Sequence, residues 1–147
     1  MFLTVKGEPV AKGRPRFGNG RTYTPKKTVD AENNIKLLAL KVGFEKLYGP
    51  LRMTITFEMR IPKSWPAQSK KEALEGIIRP TKTPDIDNLF KLVADSLQGD
   101  NMVYQDDNQI VEIMAVKRYS ADPKTIILIE EVIKWLKKIK KAKIVLT

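Results

Sequence analysis

A strict alternation of apolar and polar side chains runs from Leu51 to Arg60. Because successive side chains of a β-strand point to opposite faces, this pattern predicts a strand with one buried face and one face in water. It is the clearest secondary-structure signal in the chain. The buried face is predicted to consist of Leu51, Met53, Ile55, Phe57 and Met59.

The remaining segments predict helices that alternate with further strands. Because the helices interrupt strands that can pair as neighbours, we predict the α+β class, with one domain and a small mixed sheet packed against helices. We expect this domain to cover residues 1–130 and residues 131–147 to form a basic tail, helical or frayed. The predicted elements are strands at 1–6, 109–119 and 125–130, helices at 29–48, 64–75 and 86–98, an exposed loop at 7–25, a connection at 77–84 and a turn at 121–123.

The chain contains neither cysteine nor histidine. This excludes disulfides, zinc fingers, thiol nucleophiles and histidine general bases. Any bound metal must therefore have oxygen ligands, and hard cations such as Mg²⁺ or Mn²⁺ prefer these.

Basic residues outnumber acidic ones, with 27 Lys and Arg against 17 Asp and Glu, for a formal net charge of +10. Such a charge favours a polyanionic partner, of which nucleic acid is the commonest, although a soluble protein can simply be basic. The N-terminus lacks the layout of a signal peptide, and no apolar run is as long as a membrane span. We therefore expect a cytoplasmic protein with no membrane partner.

Two acids, Asp85 and Asp87, lie at the predicted start of a helix. Pro84 disfavours helix at the residue before it, so Asp85 is expected at or beside the N-cap and Asp87 in the first turn. The helix dipole stabilises ionised carboxylates there, which keeps them available to a cation. Ordinary helix capping explains the same pattern.

The same helix carries a polar stripe. Asp87, Lys91 and Asp95 are four residues apart and share one face, whereas Leu89, Leu92, Val93 and Leu97 are predicted core residues. One interpretation is a solvated face in which Asp95 only holds Lys91. The other is a lysine beside metal-binding carboxylates, where it steadies a phosphate.

A second acidic pair, Asp106 and Asp107, precedes the strand that begins near Gln109. A strand entry can direct one of these carboxylates toward the helix start, whereas Asp-Asp-Asn also suits a plain turn. Of the 17 acids, five belong to these two clusters and Asp95. A cation that bridges carboxylates relieves their repulsion.

Basic and aromatic residues are interleaved in the first loop. Arg and Lys bind phosphates, and Phe17 and Tyr23 can stack on bases, so we predict DNA contact; a solvated loop with its aromatics folded back is the alternative. The Lys-rich tail fits DNA binding, a peripheral helix, a solubilising end segment or, least well, an anionic membrane. The predicted DNA-binding residues of the loop are Lys12, Arg14, Arg16, Arg21, Tyr23, Lys26 and Lys27.

Together these motifs resemble the RusA family of Holliday junction resolvases, from about Val5 to Lys117. The order and spacing of the acids and the lysine are specific. The matching motifs are Lys12-Gly13-Arg14-Pro15-Arg16, Tyr23-Thr24-Pro25, Pro84-Asp85-Ile86-Asp87-Asn88-Leu89 with Lys91, Asp95-Ser96-Leu97, and Val103-Tyr104-Gln105-Asp106-Asp107-Asn108-Gln109-Ile110-Val111.

The resemblance implies a homodimeric nuclease that requires Mg²⁺ or Mn²⁺ and nicks opposing strands of four-way DNA junctions in recombination and repair. It implies that Asp85, Asp87 and Asp107 bind metal and that Lys91 is catalytic. One extra residue lies between Leu97 and Asp106 relative to the family pattern, so Asp106 also stays a candidate ligand. The tail is outside the shared pattern.

Two other functions remain open from the sequence. A non-catalytic DNA-binding protein would explain the charge and the Arg-rich loop, but its acids would repel the DNA backbone. A metal-dependent nuclease for other branched DNA would need the same residues.

Overall fold

The computed structural model describes the backbone of residues 1–146 and the side chains of residues 1–143; Thr147, the last residue of the predicted tail, lies outside the described residues. The elements in chain order are β1 (Phe2–Lys6), β2 (Arg16–Gly18), β3 (Arg21–Tyr23), α1 (Lys26–Val42), β4 (Leu51–Arg60), α2 (Ala67–Leu74), α3 (Ile86–Ser96), a 3₁₀ turn (Asp107–Gln109), β5 (Ile110–Ser120), β6 (Lys124–Glu131) and α4 (Val132–Leu146).

The main sheet has four strands in the order β1-β6-β4-β5. β6 runs antiparallel to both β1 and β4, whereas β4 and β5 are parallel, which requires the long connection through α2 and α3. The predicted α+β class with a small mixed sheet is confirmed.

One face of the sheet packs against α1 and α3 and forms the core. The five predicted apolar residues of β4 are all buried, and so are the four predicted core residues of α3 and the segment that follows it. From α1, Ile35 and Ala39 join the same cluster. Hydrophobic burial across this layer fixes α3 against the sheet, and α3 carries the candidate site residues.

The opposite face is less exposed to solvent than predicted. Arg52, Thr54 and Thr56 are half-buried, and Glu58 is only 7% exposed. The Glu58 carboxylate is compensated by Arg118 at 3.5 Å and Lys124 at 3.6 Å, as a buried charge requires. At one end of this face the guanidinium of Arg52 lies 4.4 Å from the centroid of the Trp135 ring of α4.

Helix α1 ends at Val42, so its predicted extension to residue 48 is wrong. Gly43 adopts a φ of 80°, which ends the helix, and its N–H donates to the Ala39 carbonyl. The segment that follows leaves the helix because it contacts the loop after α3. There Leu47 N–H donates to Val103 O at 2.8 Å, and Lys46 Nζ donates to the carbonyls of Gly99 and Asp100.

The predicted exposed loop at 7–25 contains a β2–β3 hairpin that was missed. Asn19 and Gly20 have positive φ angles of 51° and 74° at its tip, and Asn-Gly is a strong hairpin signal. The short helix α2 starts at Ala67 after Pro66, three residues later than predicted. The 121–123 turn is confirmed, and α4 shows that the tail is helical through residue 146.

No helix within the described part of the chain is long and apolar enough to cross a membrane.

Candidate active site

Asp85 and Asp87 occupy the predicted positions at the start of α3. Asp85 is the N-cap, with extended φ and ψ of −72° and 147°, and Asp87 is in the first turn. The Asp85 side chain accepts no capping hydrogen bond, although its main-chain carbonyl accepts from Leu89 N–H. Both side chains are exposed. Ordinary capping therefore leaves the carboxylate of Asp85 unexplained.

Asp95 lies two turns farther along α3 and has a partner that the sequence did not predict. Its carboxylate lies 3.1 Å from Lys12 Nζ, from the first loop. Lys91 is exposed on the same helix. The expectation that Asp95 only holds Lys91 does not account for this ion pair.

Lys12 of the first loop forms contacts with both α1 and α3. Its ammonium forms ion pairs with Glu32 of α1 and Asp95 of α3, and its main-chain N–H donates to the Asn88 carbonyl at 2.9 Å. Burial alone would lower the pKa of Lys12, but the hydrogen bonds and charges of the two carboxylates outweigh it and raise the pKa. Contact of Lys12 with DNA remains a prediction, and its ammonium already has two acidic partners.

Asp106 and Asp107 have different environments in the 3₁₀ turn. Asp106 caps the turn, with its carboxylate accepting from Asn108 N–H at 2.8 Å. Gln109 completes a capping box by accepting from Asp106 N–H at 3.1 Å. Asp107 uses its main-chain N–H instead, which donates to Gln98 Oε1 at 3.1 Å. The carboxylate of Asp106 is thus engaged locally.

The Asp107 carboxyl is surrounded by charge. Its pKa is raised first by partial desolvation, then by the negative charges of Asp106 and Asp95, whereas the Lys91 ammonium acts to lower it. The buried Tyr104 beneath donates its hydroxyl to Ala94 O at 2.6 Å, and burial followed by the charges of Asp107 and Asp95 raises its pKa. The structure thus brings Asp107 within electrostatic reach of the polar stripe of α3.

Lys117 was missed by the sequence analysis. Its half-buried Nζ donates to the carbonyls of Lys82 at 2.9 Å and Pro84 at 3.0 Å, so it holds the segment that leads directly into Asp85. The available sequence signal was the alternation in β5, because Lys117 shares a strand face with half-buried Ala115 and Tyr119; the register then sets it beside buried Phe57.

Besides Lys12, the predicted DNA-binding residues lie in three places. Arg14, Arg16 and Lys27 line a cleft whose other wall includes Thr83 and Pro84. Arg21 and Tyr23 lie on the β2–β3 hairpin, and Lys26 begins α1; all six side chains are exposed. Phe17 on the hairpin is 78% exposed, so it is not folded back onto the core.

Comparison with known proteins supports the resemblance. The family model of endodeoxyribonuclease RusA matches residues 6–130, which include every candidate catalytic residue. The chain belongs to the RusA endodeoxyribonuclease family. Members of this family act on branched DNA. The chain is also 38% identical over 137 residues to the Bacillus subtilis (strain 168) protein named "Uncharacterized protein YqaN", covering 88% of this chain and 95% of that protein.

A divalent cation fits the donor chemistry of this RusA-family site. Carboxylate oxygens are ligands that Mg²⁺ and Mn²⁺ prefer. Besides partial desolvation, the negative charges of Asp106 and Asp95 raise the pKa of Asp107, and a cation would offset this repulsion. Among the described residues, no three acidic side chains lie close enough together to hold a metal ion. Binding a cation through three carboxylates would therefore require them to move closer.

Proposed function

We propose that this chain is a metal-dependent endodeoxyribonuclease that resolves four-way DNA junctions by paired phosphodiester hydrolysis, in recombination and repair. Membership of the RusA family supports nuclease action on branched DNA. The observation that carries the proposal is that Asp85 and Asp87 present exposed carboxylates at the start of α3, where the Asp85 side chain makes no capping bond and Lys91 lies one turn farther along the face of Asp87.

Three carboxylates would hold the cation in this proposal: Asp85, Asp87 and Asp107. Asp85 is supported because its side chain makes no capping bond, and Asp107 is favoured over Asp106 because the Asp106 carboxylate caps the 3₁₀ turn. Bound Mg²⁺ or Mn²⁺ would supply Lewis-acid chemistry, polarising the phosphate and activating water.

Lys91 is the proposed catalytic cation of the chain. Its side chain is exposed and lies on the α3 face that it shares with Asp87. From there its ammonium can stabilise charge that develops on the phosphate, or protonate the leaving 3′ oxygen. Lys117 positions the segment before Asp85 and does not itself contact the phosphate in this proposal.

Paired cleavage of a two-fold junction calls for two active sites related by two-fold symmetry, so we propose a homodimer. The face of the sheet opposite the core offers apolar surface for this dimer. One row across that face consists of Phe2, Leu128, Thr54 and Met114, with Phe2 61% and Met114 55% exposed. Sedimentation should show a dimer; a monomer at micromolar concentration, both with and without DNA, would contradict this assignment.

The decisive experiment compares cleavage of four-way, Y-shaped and linear DNA in the presence of Mg²⁺. We expect paired nicks in the four-way junction, and loss of cleavage with retained junction binding in Asp85→Asn and Asp87→Asn. Each Asn keeps the size of the side chain and the ability to occupy a helix N-terminus, so folding should be preserved. Asp30→Asn, which removes the charge of an exposed acid on α1, is the matched control.

Each failure has a separate meaning. Normal nicking by either Asn variant would remove that carboxylate from the site. Cleavage of Y-shaped DNA in preference to four-way junctions would assign a different branched substrate. Tight binding without cleavage of any substrate would indicate a non-catalytic DNA-binding protein.

A further inference from the structure

A cleft of about 520 Å³ lies beside the start of α3, and the catalytic proposal gives it no role. Its walls come from the first loop, the beginning of α1 and the Thr83–Pro84 segment, and Met59 at the end of β4 contributes to it. Asp85 is the next residue after Pro84. A ligand in this cleft would therefore lie next to the candidate catalytic carboxylates.

The side chains of the cleft are of two kinds. Val10, Met59 and Pro84 provide apolar surface, whereas Arg14, Arg16 and Lys27 provide exposed cationic groups. An apolar surface with convergent cations suits a ligand that has a flat apolar part and an anionic part. A nucleotide has both, because its base packs or stacks on apolar side chains and its phosphate pairs with Arg or Lys.

The charge balance of the cleft favours an anion. Glu8 is the one acidic side chain among the lining residues, and it is already engaged. Its carboxylate accepts from Arg60 N–H at 3.0 and 3.3 Å and lies 3.7 Å from Arg60 Nε. Three cations thus face one compensated carboxylate, in a protein of net charge +10. The volume also falls within the roughly 300–1,000 Å³ of typical ligand sites.

We propose that this cleft is a nucleotide subsite that receives one nucleotide of the DNA strand next to the cleaved phosphodiester. Its base lies against Val10, Met59 and Pro84, and its phosphate is bound by Arg14, Arg16 and Lys27. The inference rests on the proposed function for the identity of the DNA strand. Lys117, through the Pro84 carbonyl, holds one wall of the subsite in place.

The test uses a four-way junction that carries 2-aminopurine at one position at a time along a strand that is cut when Mg²⁺ is added, bound by the full chain in chelator. This base is quenched while stacked in a duplex and becomes fluorescent when it is unstacked. We expect a several-fold rise at a single position, adjacent to the bond that is cut when Mg²⁺ is added. Val10→Trp and Ala11→Phe, which fill the cleft, should abolish the rise and weaken junction binding about tenfold, because one nucleotide loses its binding site.

Two further variants test whether the cleft itself receives the base. Leu37→Trp adds an equally large ring at an exposed position of α1 and should leave the fluorescence rise intact. Arg14→Ala keeps the cleft open and should weaken binding and reduce the salt dependence, because one phosphate contact is lost. It provides a second test if a filled variant fails to fold, as judged by circular dichroism.

Specific results would overturn the inference. The absence of a fluorescence rise at every labelled position would show that the cleft does not receive a nucleotide. A rise that persists in Val10→Trp or Ala11→Phe but disappears in Phe17→Ala would assign the unstacking to the β2–β3 hairpin. Because fluorescence is read without metal, a wild-type protein that shows the localised rise but cuts no DNA would contradict the nuclease proposal and leave the subsite standing.

Discussion

Replacing Lys12 by Met distinguishes two roles for this lysine. In the structure its ammonium links Glu32 of α1 to Asp95 of α3, so the loss of the charge leaves two carboxylates unpaired between packed helices. We therefore expect Lys12→Met to destabilise the fold without removing a DNA phosphate contact. If Lys12 instead binds DNA, as the sequence predicts, the opposite pattern should be seen.

The size of the effect follows from the partial burial of the three side chains, which retain 25%, 16% and 20% of their exposure. Exposed ion pairs contribute about 0–1 kcal/mol, whereas breaking a buried pair costs about 3–5 kcal/mol. The Lys12 pairs lie between these limits, so we expect a loss of about 2 kcal/mol in the free energy of unfolding. For a chain of this length that lowers Tm by roughly 4–8 °C.

Thermal unfolding and the salt dependence of junction binding together provide the assay. Lys27→Met is the matched control because Lys27 is an exposed cation at the rim of the cleft. Lys27→Met should leave Tm unchanged and reduce the slope of log K against log salt by about 0.9, the contribution of one phosphate contact. Lys12→Met should lower Tm and keep the slope. An unchanged Tm with a reduced slope in Lys12→Met would refute the reasoning from the ion pairs.

Three other predictions concern the site itself. Lys117→Met should slow cleavage about tenfold, equivalent to about 1.4 kcal/mol, with little change in junction binding, because the segment before Asp85 loses two hydrogen bonds; Lys117→Arg should restore part of the rate. In single-turnover assays, Asp107→Asn should lower the cleavage rate about 100-fold or more. Asp106→Asn should cleave at nearly the wild-type rate, because Asn also caps the turn. Equal losses in both would contradict this division. Chelation should stop cleavage but not binding, and Mg²⁺ or Mn²⁺ should restore it; cleavage that continues in chelator would remove the cation from the proposal.

Local patterns predicted much of the fold. The alternation in β4 and the helical periodicity of α3 reflect the geometry of one element each, and both were confirmed. The end of α1 was mispredicted because Gly43 ends the helix, after which Phe44 and Leu47 pack against the core and Leu47 N–H donates to Val103 O. The β2–β3 hairpin was missed although Asn19-Gly20 signalled it, because its strands have only three residues each.

Local patterns also identified Asp85, Asp87, Lys91 and the acidic pair as candidates, and placed Asp85 at the helix N-cap. They could not separate Asp106 from Asp107, because both acids precede the same strand. The capping box around Asp106 and the charges around Asp107 make them different, and both arise from the three-dimensional arrangement of the turn.

By itself, the sequence determined that the chain has a basic surface, a mixed sheet with helices, and oxygen ligands for any metal, since composition and periodicity are properties of the chain alone. Only the tertiary structure decided which charges meet. Lys12 pairs with Glu32, which is 20 positions away in the sequence. Lys117 donates to the carbonyl of Lys82, which is 35 positions away, and so supports the segment before Asp85. With 27 basic and 17 acidic side chains available, such pairings depend on distance in the folded state, which no local pattern encodes.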